Sequence, residues 1–225
     1  MEWGLRNDLR FCLIGDRTIF LDLTTERYFG LPAALDRAFH HLLGRAPLSA
    51  DDERTLQPLV SRGLLVPGGS AAQPTEPACE LRAAVDLRAS LPDRASPFTI
   101  ALAFQSEIIT MLGSRRLSLR NIAKMLDRWR NRAPARKDPS RPDIETYLAL
   151  AAAFERTALL LRPADRCLIK ALAFLRACSS RDLFPSLVFG VRANPFAAHC
   201  WVQHQTLILN DELERVRIYT PILVL

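Results

Sequence analysis

Hydrophobic and polar positions change period several times along the chain, and each change marks an element. Thr18–Leu23 sets Ile19, Leu21 and Leu23 against Thr18, Phe20 and Asp22, the two-residue alternation of a half-buried strand. Arg10–Ile14 before it ends at the turn signal Gly15-Asp16, and Thr24-Thr25-Glu26 turns the chain into a third strand, Arg27–Leu31. Helical spacing then takes over. Pro32 suits the first position of a helix, Leu35, Ala38, Phe39, Leu42 and Leu43 make its apolar stripe, and Gly44 is a fitting stop. Ser49 and Asp52 resemble a capping box for a further helix, which Pro58 is expected to divide, leaving Leu59–Arg62 as a third short helix before Gly63. Three strands followed by three helices is a winged-helix-like outline.

The stretch Pro67–Pro77 (PGGSAAQPTEP) cannot build a core and reads as a linker. It divides the chain into an N-terminal domain, 1–66, and a larger domain, 78–225. The larger part opens with helical patterns over Leu81–Leu91, Ser96–Gly113 and Leu117–Arg132. A proline-rich break, Asn131–Pro142, follows, and then a helix over Asp143–Leu161 with Leu148, Ala152 and Leu159 on its apolar face. Pro163 and Asp165 are start signals for another helix, in which Leu168, Ala171, Leu172 and Leu175 recur at helical spacing. Four strands are expected after it: Leu183–Arg192, His199–His204, Leu207–Asp211 and Arg215–Thr220. The class is α+β, with no internal repeat.

Composition narrows the picture. Of 225 residues, 49% are hydrophobic and 24% charged, the balance of a globular chain. No apolar run approaches the ~20 residues of a membrane helix, and the N-terminus lacks the basic-then-apolar order of a signal peptide. The 5 cysteines (12, 79, 167, 178 and 200) form no CxxC pair, which points to a reducing cytoplasm. The net charge of +6 is concentrated between Arg115 and Arg141. Such a run suits nucleic acid, a partner's docking surface or a solvated helix face; with only Trp129 interleaved, the solvated face is preferred. A recognition helix confined to Leu59–Arg62 is too short to read DNA, so no nucleic-acid partner is expected. Zinc-ligand spacing and a phosphate-cradling glycine loop are both missing from the sequence, and no metal or cofactor is expected.

The chemistry gathers in Arg162–Asp211. Cys167 falls in the first turn of its helix beside Arg166, where unpaired backbone N–H groups and the helix dipole favour a thiolate. His199 opens an alternating run with Trp201 on its own face, and a turn around Gln205 would set His199 opposite Asp211, Cβ atoms about 4.5–5.5 Å apart. A slip of one residue would turn Asp211 to the other face. Thiol, imidazole and carboxylate are the three groups that nucleophilic catalysis by cysteine uses. Each has a plainer reading, since a free cysteine is as much at home in a core and Trp201 walls a site or fills a core equally well. His204 is a rival base on the opposite strand face, Cys178 sits where the dipole opposes a thiolate, Cys12 and Cys79 have no histidine partner in view, and His40 and His41 read as surface residues.

Cys-Leu-Ile-Lys-Ala-Leu from Cys167, Pro-Ser-Leu-Val-Phe-Gly-Val from Pro185, Pro-Phe-Ala-Ala-His-Cys-Trp-Val from Pro195 and Asn210-Asp211 together resemble the transglutaminase-like cysteine proteases. Within them the chain looks most like the fused B protein of lasso-peptide biosynthesis, closely over Arg162–Asp211 and more loosely in the N-terminal domain. The resemblance implies a papain-like or transglutaminase-like domain with a helix bundle and an antiparallel sheet. It puts the catalytic cysteine, histidine and aspartate on Cys167, His199 and Asp211. It further implies that the N-terminal domain recognises the leader of a ribosomally made precursor peptide. The leader would add as a strand beside Arg27–Leu31 and lie against the third helix, with Tyr28, Phe29 and Leu59 as contacts. The expected partners are that precursor and an asparagine-synthetase-like lasso cyclase. A transglutaminase-like acyltransferase and a non-catalytic peptide-binding adaptor are the alternatives. Cys200 stands where the family more often has alanine, and alternation along the strand is expected to point it away from the catalytic face.

Overall fold

The computed structural model describes residues 3–44, 48–68, 85–87, 90–113, 117–132, 143–158 and 167–225. The alternation near the N-terminus becomes sheet. A short strand β1 (Trp3–Leu5) precedes β2 (Leu9–Ile14), which pairs antiparallel with β3 (Arg17–Asp22) through a turn at Gly15, where φ is +58. On the other side of β3 lies β4 (Arg27–Gly30), with Phe20 opposite Phe29 and Leu21 opposite Tyr28. Helix α1 (Ala33–Leu43), N-capped by Pro32 and C-capped by Gly44, lies on this sheet. Its buried Asp36 carboxylate accepts the Thr18 backbone N–H, and the Thr18 hydroxyl meets His40 Nε2 at 3.0 Å, so one histidine of the pair is tied to the sheet. His41 pairs with Asp52 at 3.0 Å.

Ser49 does form a capping box with Asp52, opening α2 (Ala50–Ser61). Pro58 does not divide this helix. Leu56 and Leu59 are buried on either side of it and hold both halves to one core. Pro58 and Arg54 are exposed, so the carbonyl that loses its donor stays within reach of water and costs little. Two helices, not three, therefore follow the strands among the described residues. The chain then returns as β5 (Leu65–Pro67), antiparallel to β1, so Pro67 closes a ribbon that neither segment's pattern revealed. The three-strand, three-helix outline gives way to a three-stranded sheet, a helix pair and this ribbon. Their shared core is aromatic: Phe20 stacks on Phe29 at 5.1 Å, and Phe39 meets Phe11 and Phe20 edge-on.

Two compact units result, one of Met1–Glu76 with Val191–Ala197 and Thr220–Leu223, the other of Pro77–Gly190, Ala198–Tyr219 and Val224–Leu225. Most of the expected linker lies outside the described residues.

In the second unit, β6 (Val85–Asp86) forms where a helix over Leu81–Leu91 was expected; the flanking residues 81–84 and 88–89 lie outside the described ones. Then come α3 (Pro97–Gly113), α4 (Leu119–Arg132), α5 (Ile144–Ala158) and α6 (Cys167–Ser179). The proline-rich break at 133–142, Pro163, Asp165 and Arg166 also lie outside the described residues. Helix α4 buries Ile122 and Leu126 and turns Arg120, Lys124 and Arg128 outward, the solvated face expected of the basic run. On α5, Tyr147, Leu150, Ala153 and Thr157 are almost fully buried, and of the expected stripe Ala152 is buried while Leu148 is only half-buried.

Helix α6 buries Ala171–Leu175, Ala177 and Cys178, nearly its whole circumference, because α3 and α5 both pack on it. Strands β7 (Ser186–Ala193), β8 (Phe196–His204) and β9 (Leu207–Ile208) follow, then a short helix α7 (Leu213–Val216) and β10 (Thr220–Val224). The expected strand Arg215–Thr220 is thus replaced by a helical turn and a later strand. The sheet order is β10-β7-β8-β9-β6, with β6 parallel to β9.

One residue of β7 explains how the sheet holds Trp201. A Cβ at Gly190 would lie 2.8 Å from the Trp201 ring and 2.9 Å from the Tyr219 Cβ, so the strand must be bare there. Trp201 is only 1% exposed, and it has no room to move. Gly190→Ala is expected to lower stability by about 1–3 kcal/mol, read as a fall in the midpoint of thermal unfolding.

Candidate active site

The β8–β9 hairpin is where the site is assembled, and it does so in an unexpected register. Gln203 pairs with Ile208 and His204 with Leu207, so the turn is Gln205-Thr206, with φ 52 at Gln205. This is one residue away from the pairing that would set His199 opposite Asp211. In a continued ladder Asp211 would face the wrong side of the sheet. The ladder does not continue. Leu209 N–H still donates to Val202 C=O at 2.9 Å, but the Val202 N–H is taken by the side-chain Oδ1 of Asn210 at 2.7 Å. With a side chain standing in for the main-chain carbonyl, the chain bends over Leu209–Asp211 and leaves the sheet. The bend brings Asp211 back to His199, whose Nε2 lies 2.5 Å from Asp211 Oδ2.

The carboxylate is itself held. Its Oδ1 accepts the Glu212 N–H at 2.8 Å, Arg215 approaches at 3.6 Å, and Asp86 on β6 accepts the Leu213 N–H at 2.8 Å, fixing the start of α7. Burial disfavours the Asp211 charge, but the His199 hydrogen bond, the Glu212 N–H and the charges of His199 and Arg215 leave its pKa below the ordinary carboxylate value. Asn210 is therefore a positioning residue that sequence reading noticed only as part of a motif. Asn210→Ala is expected to lower the turnover of a His199-dependent reaction by about 10²-fold, with Asn210→Asp, which keeps an acceptor oxygen, losing less; steady-state kinetics of both variants separate the two.

With Nε2 committed to Asp211, Nδ1 is the ring nitrogen left for Cys167, which lines the same cavity. Cys167 is the first residue of α6 and half-buried. Its pKa is drawn down to about 4, first by a hydrogen bond from the Cys200 thiol, against the opposing effect of burial, and then by His199 and the Cys200 backbone N–H. Cys200 thus does not point away from the site. It lines the same cavity as Cys167, and its thiol is held neutral, its pKa pushed well up by the Cys167 sulfur and by burial. Burial works against the charge on His199, but Asp211 and Cys167 outweigh it and raise the imidazole to about 9. Across the neutral range the pair is therefore thiolate and imidazolium.

Behind the imidazole, Trp201 stacks at 6.1 Å, and Tyr219 meets the ring at a tilt at 5.2 Å. Trp201 Nε1 donates to Gln203 Oε1 at 2.8 Å, and Gln203 Nε2 donates to the Gln205 carbonyl at 2.6 Å. The tryptophan is both core and backstop. Tyr219 was hidden from sequence reading because its segment looked like strand.

The three groups open on one cavity of about 440 Å³, walled by Phe154, Phe174 and Leu209 and bordered by Lys170 and Tyr219. Glu107 of α3 also lines it. This carboxyl is 6% exposed, one of its oxygens has no partner among the described residues, and burial raises its pKa. Nothing near position 107 in the sequence marked it, because its neighbour in space, Lys170, belongs to a distant helix.

Residues 110–224 match the transglutaminase-like superfamily. The chain belongs to that superfamily. No curated protein and no solved structure matches it. Superfamily members include cysteine proteases and acyltransferases, and Cys167, His199 and Asp211 all fall within the matched residues. Among the described residues no cluster of three His, Cys, Asp or Glu side chains is placed to hold a metal ion, and no helix is long and apolar enough to cross a membrane.

The remaining candidates lie elsewhere. His204 is in ring contact with Tyr147 at 5.6 Å, and burial lowers its pKa. Cys12 and Cys178 are buried thiols with raised pKa values, about 12 for Cys12, and Cys79 lies outside the described residues. Tyr28, Phe29 and Leu59 fall outside the superfamily match. Leu59 is 3% exposed and belongs to the N-terminal core. Phe29 is turned to that core, whereas Tyr28, on the opposite face of β4, meets Phe196 at 5.8 Å within the same unit.

Proposed function

We propose that this chain is a leader peptidase. It binds a ribosomally made lasso-peptide precursor through its leader, removes the leader by Cys-His-Asp thiol chemistry and supplies the core peptide to an asparagine-synthetase-like macrolactam cyclase. The observation that carries the chemistry is the imidazole held at 2.5 Å by Asp211 on the cavity that Cys167 also lines. The Cys167 thiolate attacks the carbonyl carbon of the last leader residue, forming a C–S bond as the carbonyl electrons move to oxygen. The backbone N–H of Cys167 would help hold that oxyanion. Collapse expels the core peptide's amine, which takes the proton of the His199 imidazolium and leaves a thioester. Neutral His199 then draws a proton from water, whose oxygen attacks the thioester, and the leader departs as a carboxylic acid. Asp211 keeps the ring oriented throughout.

Leader capture falls to β4, an outer strand of the order β2-β3-β4, bonded to β3 on one side. Strand addition there would take affinity from backbone hydrogen bonds, with Tyr28 as the side chain turned away from the core. A proline at Tyr28 or Phe29, whichever points its N–H outward, is expected to weaken leader binding in the full chain about tenfold, measured by fluorescence polarisation with a labelled leader. Phe29 carries the additional risk of disturbing the core, so its unfolding midpoint is measured alongside.

The reaction itself is read by mass spectrometry after incubation with a precursor peptide and an added amine. Free leader acid and a core with a new N-terminus support the peptidase. Leader joined to the amine assigns the chain to the acyltransferases of its superfamily. Tight leader binding without either product makes it an adaptor.

A further inference from the structure

The thiol mechanism gives Glu107 no proton to move, yet Glu107 lines the cavity on which Cys167 and His199 open. It lies on α3, where the other buried residues are the small Thr99, Ala103 and Ser106. Asp22, Asp36 and Glu107 are the buried carboxyls among the described residues. Asp22 and Asp36 accept the backbone N–H groups of Thr24 and Thr18, whereas Glu107 keeps its Oε2 without a hydrogen-bond partner. Folding a carboxyl oxygen away from water unpaired is costly, and such a group calls for a partner that arrives after folding.

We propose that Glu107 is a specificity-determining residue of the catalytic cavity, given Cys167 as the nucleophile of the proposed reaction. Its carboxyl accepts a hydrogen bond from the hydroxyl, amide or ammonium end of a substrate side chain beside the bond that Cys167 attacks. The walls of the cavity favour such an occupant. Cys167, Lys170 and Phe174 line it from one face of α6, so it runs about 10 Å along that helix from the nucleophile. Ala151, Phe154 and Ala158 repeat the same spacing on α5. The two alanines leave room, and the Phe154 and Phe174 rings, 5.2 Å apart, make an apolar wall. A volume of about 440 Å³ holds a whole side chain beyond the reacting groups. Helix α3 packs on both α5 and α6 and so brings the Glu107 carboxyl to that wall. Lys170 is exposed, which leaves its charge in solvent.

One polar group on an otherwise apolar wall decides which end of a ligand is accepted. A donor-ended side chain satisfies the carboxyl. An apolar one of the same length fills the space and leaves the oxygen unpaired and further from water, so discrimination comes from both the gain and the penalty. Burial raises the Glu107 pKa against the opposing effects of Thr157 and Lys170. A donor in the cavity works in the same direction as those two, favouring the ionised acceptor.

The test uses the full chain and N-substituted iodoacetamides whose tails, in a series of graded lengths, end in a methyl, a hydroxyl or an ammonium group. Alkylation of Cys167 is followed by peptide mapping, and each rate is divided by that of plain iodoacetamide on the same variant, which removes any change in the thiol itself. No peptide need be cleaved, so failure of the peptidase reading leaves the test intact. In the wild type, at the tail length that reaches Glu107, a donor-ended reagent is expected to react about tenfold faster than its methyl-ended counterpart. Glu107→Met should erase that preference. Glu107→Gln, which keeps an acceptor oxygen but no charge, should retain it for the hydroxyl and lose it for the ammonium, and the wild-type ratio of those two reagents tells a cationic substrate side chain from a neutral one. Because Glu107→Met removes an unpaired buried carboxyl, its unfolding midpoint should hold or rise, where a purely structural carboxyl would leave it lower. Should Glu107→Met fail to fold, the wild-type series and Glu107→Gln decide. Equal wild-type rates for all three tail ends at every length would overturn the proposal, as would a preference that survives Glu107→Met.

Discussion

Cys167→Ala and His199→Ala are each expected to abolish leader cleavage, by about 10⁴-fold or more, while leaving leader binding unchanged. The cysteine supplies the only bond-forming sulfur that is both open to the cavity and ionised among the described residues. The histidine is the base that shares its cavity, with His204 turned to Tyr147 instead. Asp211→Asn should hurt less, because it leaves a base in place and removes only what orients and charges it. An amide at Asp211 can present its N–H to His199 Nε2 and so favour a tautomer with the proton on Nδ1, the nitrogen that faces the thiol. Single-turnover cleavage of a precursor peptide, with leader binding followed separately, measures all three variants. Cleavage by Cys167→Ala near the wild-type rate would sink the thiol mechanism outright.

The pH dependence should be equally plain. The Cys167 thiol is drawn down to about 4 and the His199 imidazole raised to about 9, so the ion pair exists between those values and is lost on either side. Iodoacetamide needs only the thiolate. Its rate at Cys167 should therefore rise through about pH 4 and stay high above pH 9, with no step near the ~8.5 of a free cysteine. Cleavage needs the imidazolium as well, to protonate the departing amine, so it should rise with the thiolate and fall again as pH passes about 9. The two profiles should agree on the acid side and part on the alkaline side.

Variants locate the cause. Cys200→Ala removes the first contributor to the low thiol value and should move the alkylation midpoint upward. Asp211→Asn lowers the imidazole's affinity for its proton and should move it upward too. A wild-type midpoint at or above the free value would make Cys167 a buried structural cysteine.

Much of this protein was legible without coordinates because its signals are local. Alternation between Thr18 and Leu23 is enough to specify a strand, since side chains on successive residues must face opposite ways. Ser49 and Asp52 cap a helix by contacts three residues apart, and Cys167, His199 and Asp211 stand out as the three residue types one reaction needs. What the chain could not announce is whatever depends on residues far apart in sequence. The β1–β5 ribbon joins Trp3–Leu5 to Leu65–Pro67, and neither three-residue segment is long enough to show a period. The β6 strand exists because Val85–Asp86 finds β9 beside it. Pro58 leaves α2 whole because Leu56 and Leu59 are buried on both sides of it, a tertiary anchor stronger than the propensity it opposes.

The site divides along the same line. Its residue types were readable from the sequence, but the meeting of His199 with Asp211 rests on one displaced hydrogen bond. By alternation alone, the observed register would have separated them. Asn210 takes the Val202 N–H, the strand ends, and the carboxylate swings back. Cys200 was expected on the far side for the same reason, yet it lines the cavity on which Cys167 opens. Alternation says which side of a strand a residue occupies, but only packing says what waits there. Here it is the first residue of α6, a helix buried nearly all round because α3 and α5 enclose it.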